Sequence, residues 1–232
     1  ALFDRFNLDE CIAGNWNWRA LTIARFALTR PESAPTTIQL WGGPRLGKRH
    51  IARSLARQWG RSGMRVLVMA GPAFASLAAR ARRDGVQPAE FQRRFTADFD
   101  AVIFESLDSL TEVQGGETWV RLIEGLLEAR RRVVVTSRRP LASFDRPISE
   151  LEGVFRHGPV IELRCPRRPD RRTILAAFCR KHRVRVSAAS IFHASTAAWR
   201  TVAELEGAVV RLAQLRGAGF ALTQEDAVKV LG

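Results

Sequence analysis

The amino-acid sequence predicts an α/β fold, a central parallel sheet followed by a small all-helical unit. Three observations carry this prediction. Short apolar runs alternate with stretches of helical periodicity over most of the chain. A glycine-bearing loop joins one of those runs to a helical stretch. After a proline-marked hinge, Cys165-Pro166-Arg167-Arg168-Pro169-Asp170, only helical patterns remain.

Taken in order, residues 19–29 have helical periodicity that stops ahead of Pro31, because the residue before a proline is steered away from helical backbone. Thr37-Ile38-Gln39-Leu40-Trp41 has the length and apolar character of a buried strand. It runs into Gly42-Gly43, after which 48–61 is helical. A second strand covers 66–69, with helices over 73–83 and 88–95. Ala101-Val102-Ile103-Phe104 is a third strand, 119–129 a helix, Val133-Val134-Val135-Thr136 a fourth strand and 159–163 a fifth. Beyond the hinge, helices are expected over 171–182, 188–194, 201–215 and 223–231. The division falls near Arg164, giving an α/β core over 1–164 and a helical unit over 165–232. No internal repeat and no low-complexity tract is present.

Bulk composition narrows the function classes. The chain is 46% hydrophobic and 26% charged, within the range of globular proteins and outside that of disordered ones. No apolar run approaches the roughly 20 residues that span a bilayer. The first residues carry acid and aromatics in place of a signal peptide's apolar stretch. Without an initiator methionine, the chain is open to being a piece of a longer protein. Three scattered cysteines, Cys11, Cys165 and Cys179, point to reduced thiols and a cytoplasmic setting. His50, His157, His182 and His193 form no metal-ligand spacing, so no metal site is expected. The net charge is +14, which invites contact with nucleic-acid phosphates. Lys48, Lys181 and Lys229 are the only lysines and tyrosine is absent, so a biased genome composition is the alternative account of the excess.

Gly42-Gly43-Pro44-Arg45-Leu46-Gly47-Lys48 matches the phosphate loop, G-x-x-x-x-G-K. Glycine lets the backbone curl until successive N–H groups face inward, and those groups with the following helix terminus hold phosphate oxygens. The lysine reaches the outer phosphates. The next residue is ordinarily Ser or Thr, whose hydroxyl ligates Mg²⁺. Here it is Arg49, which cannot ligate a cation. Two roles stand for it: touching phosphate directly, or filling the pocket.

Further motifs fall on either side of this loop. They are Phe3-Asp4-Arg5-Phe6, Gly14-Asn15-Trp16-Asn17, Arg82-Arg83-Asp84-Gly85 with Glu90-Phe91-Gln92-Arg93-Arg94-Phe95, Val135-Thr136-Ser137-Arg138-Arg139-Pro140, and Glu204-Leu205-Glu206-Gly207-Ala208. With the loop, they resemble the AAA+ domain of the bacterial replication initiator DnaA and its shorter relative Hda, across essentially the whole chain. In order, the motifs resemble that family's opening segment, its nucleotide-edge motif, its initiator-specific insertion, its sensor-1 segment and its lid signature. The resemblance implies a P-loop AAA+ core over 1–164 and a lid over 165–232. It places Gly42, Gly43, Gly47, Lys48, Arg49, Glu105 and Ser137 at a nucleotide site for ATP or ADP.

The departures from the family pattern fall on the chemistry. Its Walker B strand ends in two aspartates, where this chain has Glu105-Ser106. Val154, ahead of Phe155 and Gly158, stands in place of the arginine finger, and Ala203 in place of the sensor-2 arginine. The sensor-1 polar residue aligns with Ser137 or with Arg138. An arginine finger alone is worth about 10³ to 10⁵ in rate. The combined losses lead us to expect no catalytic residues, weak nucleotide binding and no Mg²⁺.

The family's insertion helices contact single-stranded DNA, which makes Arg82, Arg83, Arg93 and Arg94, with Arg80 beside them, candidate DNA contacts. A solvated charged face is the alternative. The same choice holds for Arg167, Arg168, Arg171 and Arg172 near the hinge. No helix-turn-helix unit follows and no clamp-binding segment precedes, so the chain is either truncated or like Hda. The expected function is a hydrolysis-deficient factor in replication initiation or its regulation, binding single-stranded DNA weakly and without sequence preference. Its expected partners are replication proteins of the initiator, helicase or clamp type, with self-association left open and no membrane contact. The alternatives are an adaptor or scaffold outside replication, or an ATPase with unusual metal ligands.

Overall fold

The structure, a computed structural model, describes residues 6–110, 116–197, 199, 201–217, 225, 229 and 230. By its internal contacts the chain divides into two compact units. One comprises Ala1–Cys11, Arg19–Gly43 and Lys48–Leu163; the other comprises Ile12–Trp18, Pro44–Gly47 and Arg164–Gly232.

The first unit is built on five parallel strands: β1 (Thr37–Trp41), β2 (Val66–Ala70), β3 (Ala101–Glu105), β4 (Arg132–Ser137) and β5 (Val160–Glu162). Their order across the sheet is β2-β3-β4-β1-β5. Thr37 lies opposite Val133, Ile103 opposite Val134 and Leu40 opposite Ile161. Every residue of β3 is buried, as expected of a strand covered on both faces, where apolar side chains run on without alternating. Helices α1 (Trp18–Thr29), α2 (Lys48–Arg61), α3 (Gly71–Arg83), α4 (Pro88–Asp98), α5 (Gly116–Glu128) and the single turn α6 (Glu152–Phe155) complete the unit. α2 buries Ile51, Ala52, Leu55, Ala56 and Trp59, the stripe that helical spacing predicts.

The core beneath α3, α4 and α5 is aromatic. Phe104 meets Phe74 and Trp119 edge to face at 5.7 Å each, and Phe91 and Phe95 on α4 add a pair at 5.0 Å. This anchors α3 and α4 by their apolar faces and leaves Arg82, Arg83, Arg93 and Arg94 exposed.

Of the second unit, α7 (Arg168–Lys181), α8 (Ala188–Ala194) and α9 (Val202–Gly217) are described. Trp16, Ile174, Leu175, Phe178, Leu205, Val209 and Leu212 form its core. α9 opens on a reciprocal cap. Thr201 Oγ1 accepts the Glu204 N–H, and the Glu204 carboxylate accepts the Thr201 N–H, both at 3.2 Å. α7 begins three residues ahead of the expected 171. Pro169 sits in its first turn, where the missing N–H costs nothing, and the Asp170 carboxylate accepts the Arg167 N–H at 2.9 Å. The proline read as a hinge marker is therefore part of a helix start. The expected helix over 223–231 falls mostly outside the described residues; Glu225, Lys229 and Val230 within it are helical. Residues 3–5 of the opening motif also lie outside the described residues.

Candidate nucleotide site

The site is assembled at the C-terminal ends of β1, β3 and β4, where open parallel sheets bind ligands. β1 delivers Gly42, whose φ of +134° is in the region that only glycine adopts without strain. A side chain there would also meet the Leu163 carbonyl oxygen at 2.1 Å. Gly47 has φ +99° and Arg45 φ +57°, so the loop is curled as a phosphate cradle needs. Lys48 opens α2. Its Nζ donates to the carbonyls of Gly42 and Gly43 at 2.6 Å each, folding the side chain over its own loop. Burial lowers the pKa of this ammonium from 10.5 to about 8; the Asp108 charge opposes that shift, and Arg138 and Arg49 reinforce it.

The next turns of α2 supply two arginines to β3. Glu105, at the end of β3, has a side chain only 2% exposed. Arg53 grips it through two parallel bonds, Nε to Oε1 and Nη2 to Oε2, both 2.7 Å. Arg49 adds its Nε at 3.4 Å from Oε2 and donates from Nη2 to Ser106 Oγ at 2.8 Å. The structure lays the Arg49 side chain against Glu105 and Ser106. The Arg53 guanidinium is itself fixed over the Phe6 ring, 5.2 Å from the centroid. Ser106 takes a left-handed backbone, φ +55°, and its N–H donates to Thr136 Oγ1 at 3.1 Å.

On β4, Ser137 is buried and its hydroxyl donates to the Arg139 carbonyl at 2.6 Å, within its own turn. The backbone N–H of Arg138 donates to both carboxylate oxygens of Asp108, at 2.9 and 2.8 Å. Val154 packs against the core of the first unit. Arg156, two residues on, is 71% exposed and paired with Glu152 one turn back. Ala203 is exposed in the first turn of α9. In the second unit, Asn17 Oδ1 accepts the Gly14 N–H at 3.0 Å and its Nδ2 donates to the Ile12 carbonyl at 2.9 Å. Trp16 is buried in that unit's core.

The structure thus brings together Gly42, Gly43 and Lys48, and separately Arg49 and Glu105. It turns Ser137 into its own loop. Two residues at this site were missed in the sequence. Arg53 has a signal, since it stands one helical turn after Arg49 on the face of α2 that meets β3. Asp108 has none, because its role depends on where the turn after β3 meets the end of β4. Of the DNA candidates, Arg94 pairs with Glu90, while Arg80 pairs with Asp84. Among the described residues no cluster of three or more His, Cys, Asp or Glu is gathered as a metal site, and no helix is long and apolar enough to cross a membrane.

Comparison with known proteins places this geometry in context. Residues 2–162 match the family model of the bacterial DnaA ATPase domain. The chromosomal replication initiator protein DnaA of Thermoanaerobacter sp. (strain X514) is 19% identical over 211 residues, covering 90% of this chain and 47% of that protein. The chain therefore spans about half the length of the curated relatives it matches. Among solved structures, domain III of the Thermotoga maritima replication initiation protein DnaA superposes with a TM-score of 0.80 at 17% identity, covering 98% of this chain and 96% of that one. The replication initiator DnaA bound to AMPPCP and single-stranded DNA superposes with a TM-score of 0.79 at 19% identity, covering 92% and 66%.

Proposed function

Because the chain belongs to the family of bacterial DnaA ATPase domains, we propose that it serves the initiation of chromosomal replication, or its control, as a domain that does not hydrolyse ATP. It acts through its contacts with DNA and with other replication proteins. The observation that supports this reading is the double arginine grip on Glu105.

Phosphoryl transfer in P-loop proteins relies on Mg²⁺ held by a hydroxyl after the loop lysine and by a Walker B carboxylate. The residues present do not fit that ion. The hydroxyl position is a cationic Arg49, and both oxygens of Glu105 are taken by Arg53. A guanidinium is always charged and repels a divalent cation brought beside it. Ser106 offers no carboxylate to orient a water, and its hydroxyl already accepts from Arg49. Val154 and Ala203, at the finger and lid positions, bring none of the charge that those arginines bring to the transition state.

The phosphate cradle fits an anion better. Gly42, Gly43, Gly47 and Lys48 would hold the phosphates of ATP or ADP, with Lys48 exchanging its loop carbonyls for phosphate oxygens. Binding on this reading is weak and indifferent to Mg²⁺. DNA contact is assigned to Arg82, Arg83, Arg93 and Arg94, exposed on α3 and α4; a structural neighbour of the chain was solved with single-stranded DNA. Calorimetric titration with ATP and ADP tests the reading. Equal, weak affinity with and without Mg²⁺ is expected, and tight binding that requires Mg²⁺ would overturn it.

A further inference from the structure

We propose that the second unit carries its own site for single-stranded nucleic acid, formed by Arg168 and Arg172 on α7 and Phe192 on α8. Phe192 is 48% exposed, one of the few large apolar side chains left in solvent. Two guanidiniums lie over its ring, Arg168 at 4.8 Å and Arg172 at 4.4 Å from the centroid. The two arginines are one helical turn apart, so their backbones are separated by about 6 Å along α7. No carboxylate pairs with either among the described residues, whereas Arg80, Arg94, Arg146 and Arg156 each have an acidic partner.

The platform is braced from behind. Arg171 turns the other way and donates to the Pro166, Ser195 and Ala197 carbonyls, tying α7 to the end of α8. Ser187 Oγ caps α8 by accepting the Ser190 N–H at 3.1 Å. The Arg171 bonds thus join the two helices that carry the arginines and the ring.

The chemistry selects the partner. Guanidiniums without a carboxylate partner seek phosphate, and guanidinium planes laid on an aromatic ring offer a base a flat surface to stack on. A single strand offers phosphates and unstacked bases together. A duplex hides its base faces, and an acidic peptide has no matching plane. The inference extends the DNA contact proposed above to a second surface and rests on that reading.

Fluorescence anisotropy of the full chain with labelled oligothymidylate, at several salt concentrations, tests it. The pair Arg168→Gln/Arg172→Gln is expected to weaken binding about tenfold at low salt and to flatten the salt slope by about 0.7 per lost phosphate contact. Phe192→Leu keeps the apolar bulk and loses the ring; it is expected to weaken binding about fivefold and leave the slope unchanged. All three positions are exposed, so native circular dichroism checks the fold. Wild-type binding in both variants, with loss in the quadruple variant Arg82→Ala/Arg83→Ala/Arg93→Ala/Arg94→Ala, overturns this site and leaves the first surface standing. Equal competition by duplex or by polyglutamate overturns the choice of partner. No binding at low salt overturns both surfaces.

Discussion

Arg53 and Glu105 meet through two parallel 2.7 Å bonds, with the carboxylate almost wholly buried. Removing one side of a buried pair leaves the other charge without compensation, at about 3–5 kcal/mol when nothing replaces it. Arg53 is one quarter exposed and Arg49 remains beside Glu105, so Arg53→Ala is expected to cost less, about 1–3 kcal/mol. Urea denaturation measures this; a midpoint equal to the parent's would mean that the grip is incidental. Lys48 carries the second prediction at this scale. Its folded pKa is lowered from 10.5 to about 8, first by burial, so from about pH 8 to 10.5 the unfolded chain binds more protons and this group makes stability rise with pH. A bound phosphate favours the ammonium and raises that pKa again. Phosphate affinity is therefore expected to fall as pH rises through about 8, with proton uptake on binding. Calorimetry in two buffers of unlike ionisation enthalpy measures the uptake; identical heats would exclude Lys48 as the contact. The substitutions at 49, 105 and 106 are plain in the sequence. Their joint meaning is not, because it requires knowing that Arg49 and Arg53 face the end of β3.

The strands and the loop that they carry were legible because each apolar run is short, bounded and rich in β-branched side chains, and β1 to β5 appear within a residue or two of the expected positions. Helix ends were less legible. Pro169 reads as a break when only its missing N–H is considered, yet in a first turn that N–H has no partner to lose, and α7 begins at Arg168. The loop after β1 depends on Gly42 twice over, through φ +134° and through its closeness to the Leu163 carbonyl. Gly42→Ala is expected to destabilise the protein by about 2 kcal/mol or more, since strain and collision add. Gly63→Ala has φ +90° and open space around it, so strain alone applies, about 1 kcal/mol. Thermal denaturation of the two variants compares them; equal losses would show that the Leu163 approach is relaxed at no cost.

At the scale of the molecule, the parallel sheet follows from strands alternating with helices, and the family from motifs spread along the chain, which is why the architecture could be read ahead of the site; the strand order β2-β3-β4-β1-β5 comes from the structure alone. The family supplies the expectation of a magnesium-dependent ATPase, and the residues at its centre disagree with it. On the function proposed above, the cradle and Lys48 would meet an anion, while the two arginines on Glu105 would keep a metal ion out. Release of inorganic phosphate from ATP under steady-state conditions, with and without Mg²⁺ and with Lys48→Ala alongside, tests this account most directly. Background release is expected in every arm, unchanged by Mg²⁺ and by Lys48→Ala. Turnover that requires Mg²⁺ and disappears in Lys48→Ala would contradict it.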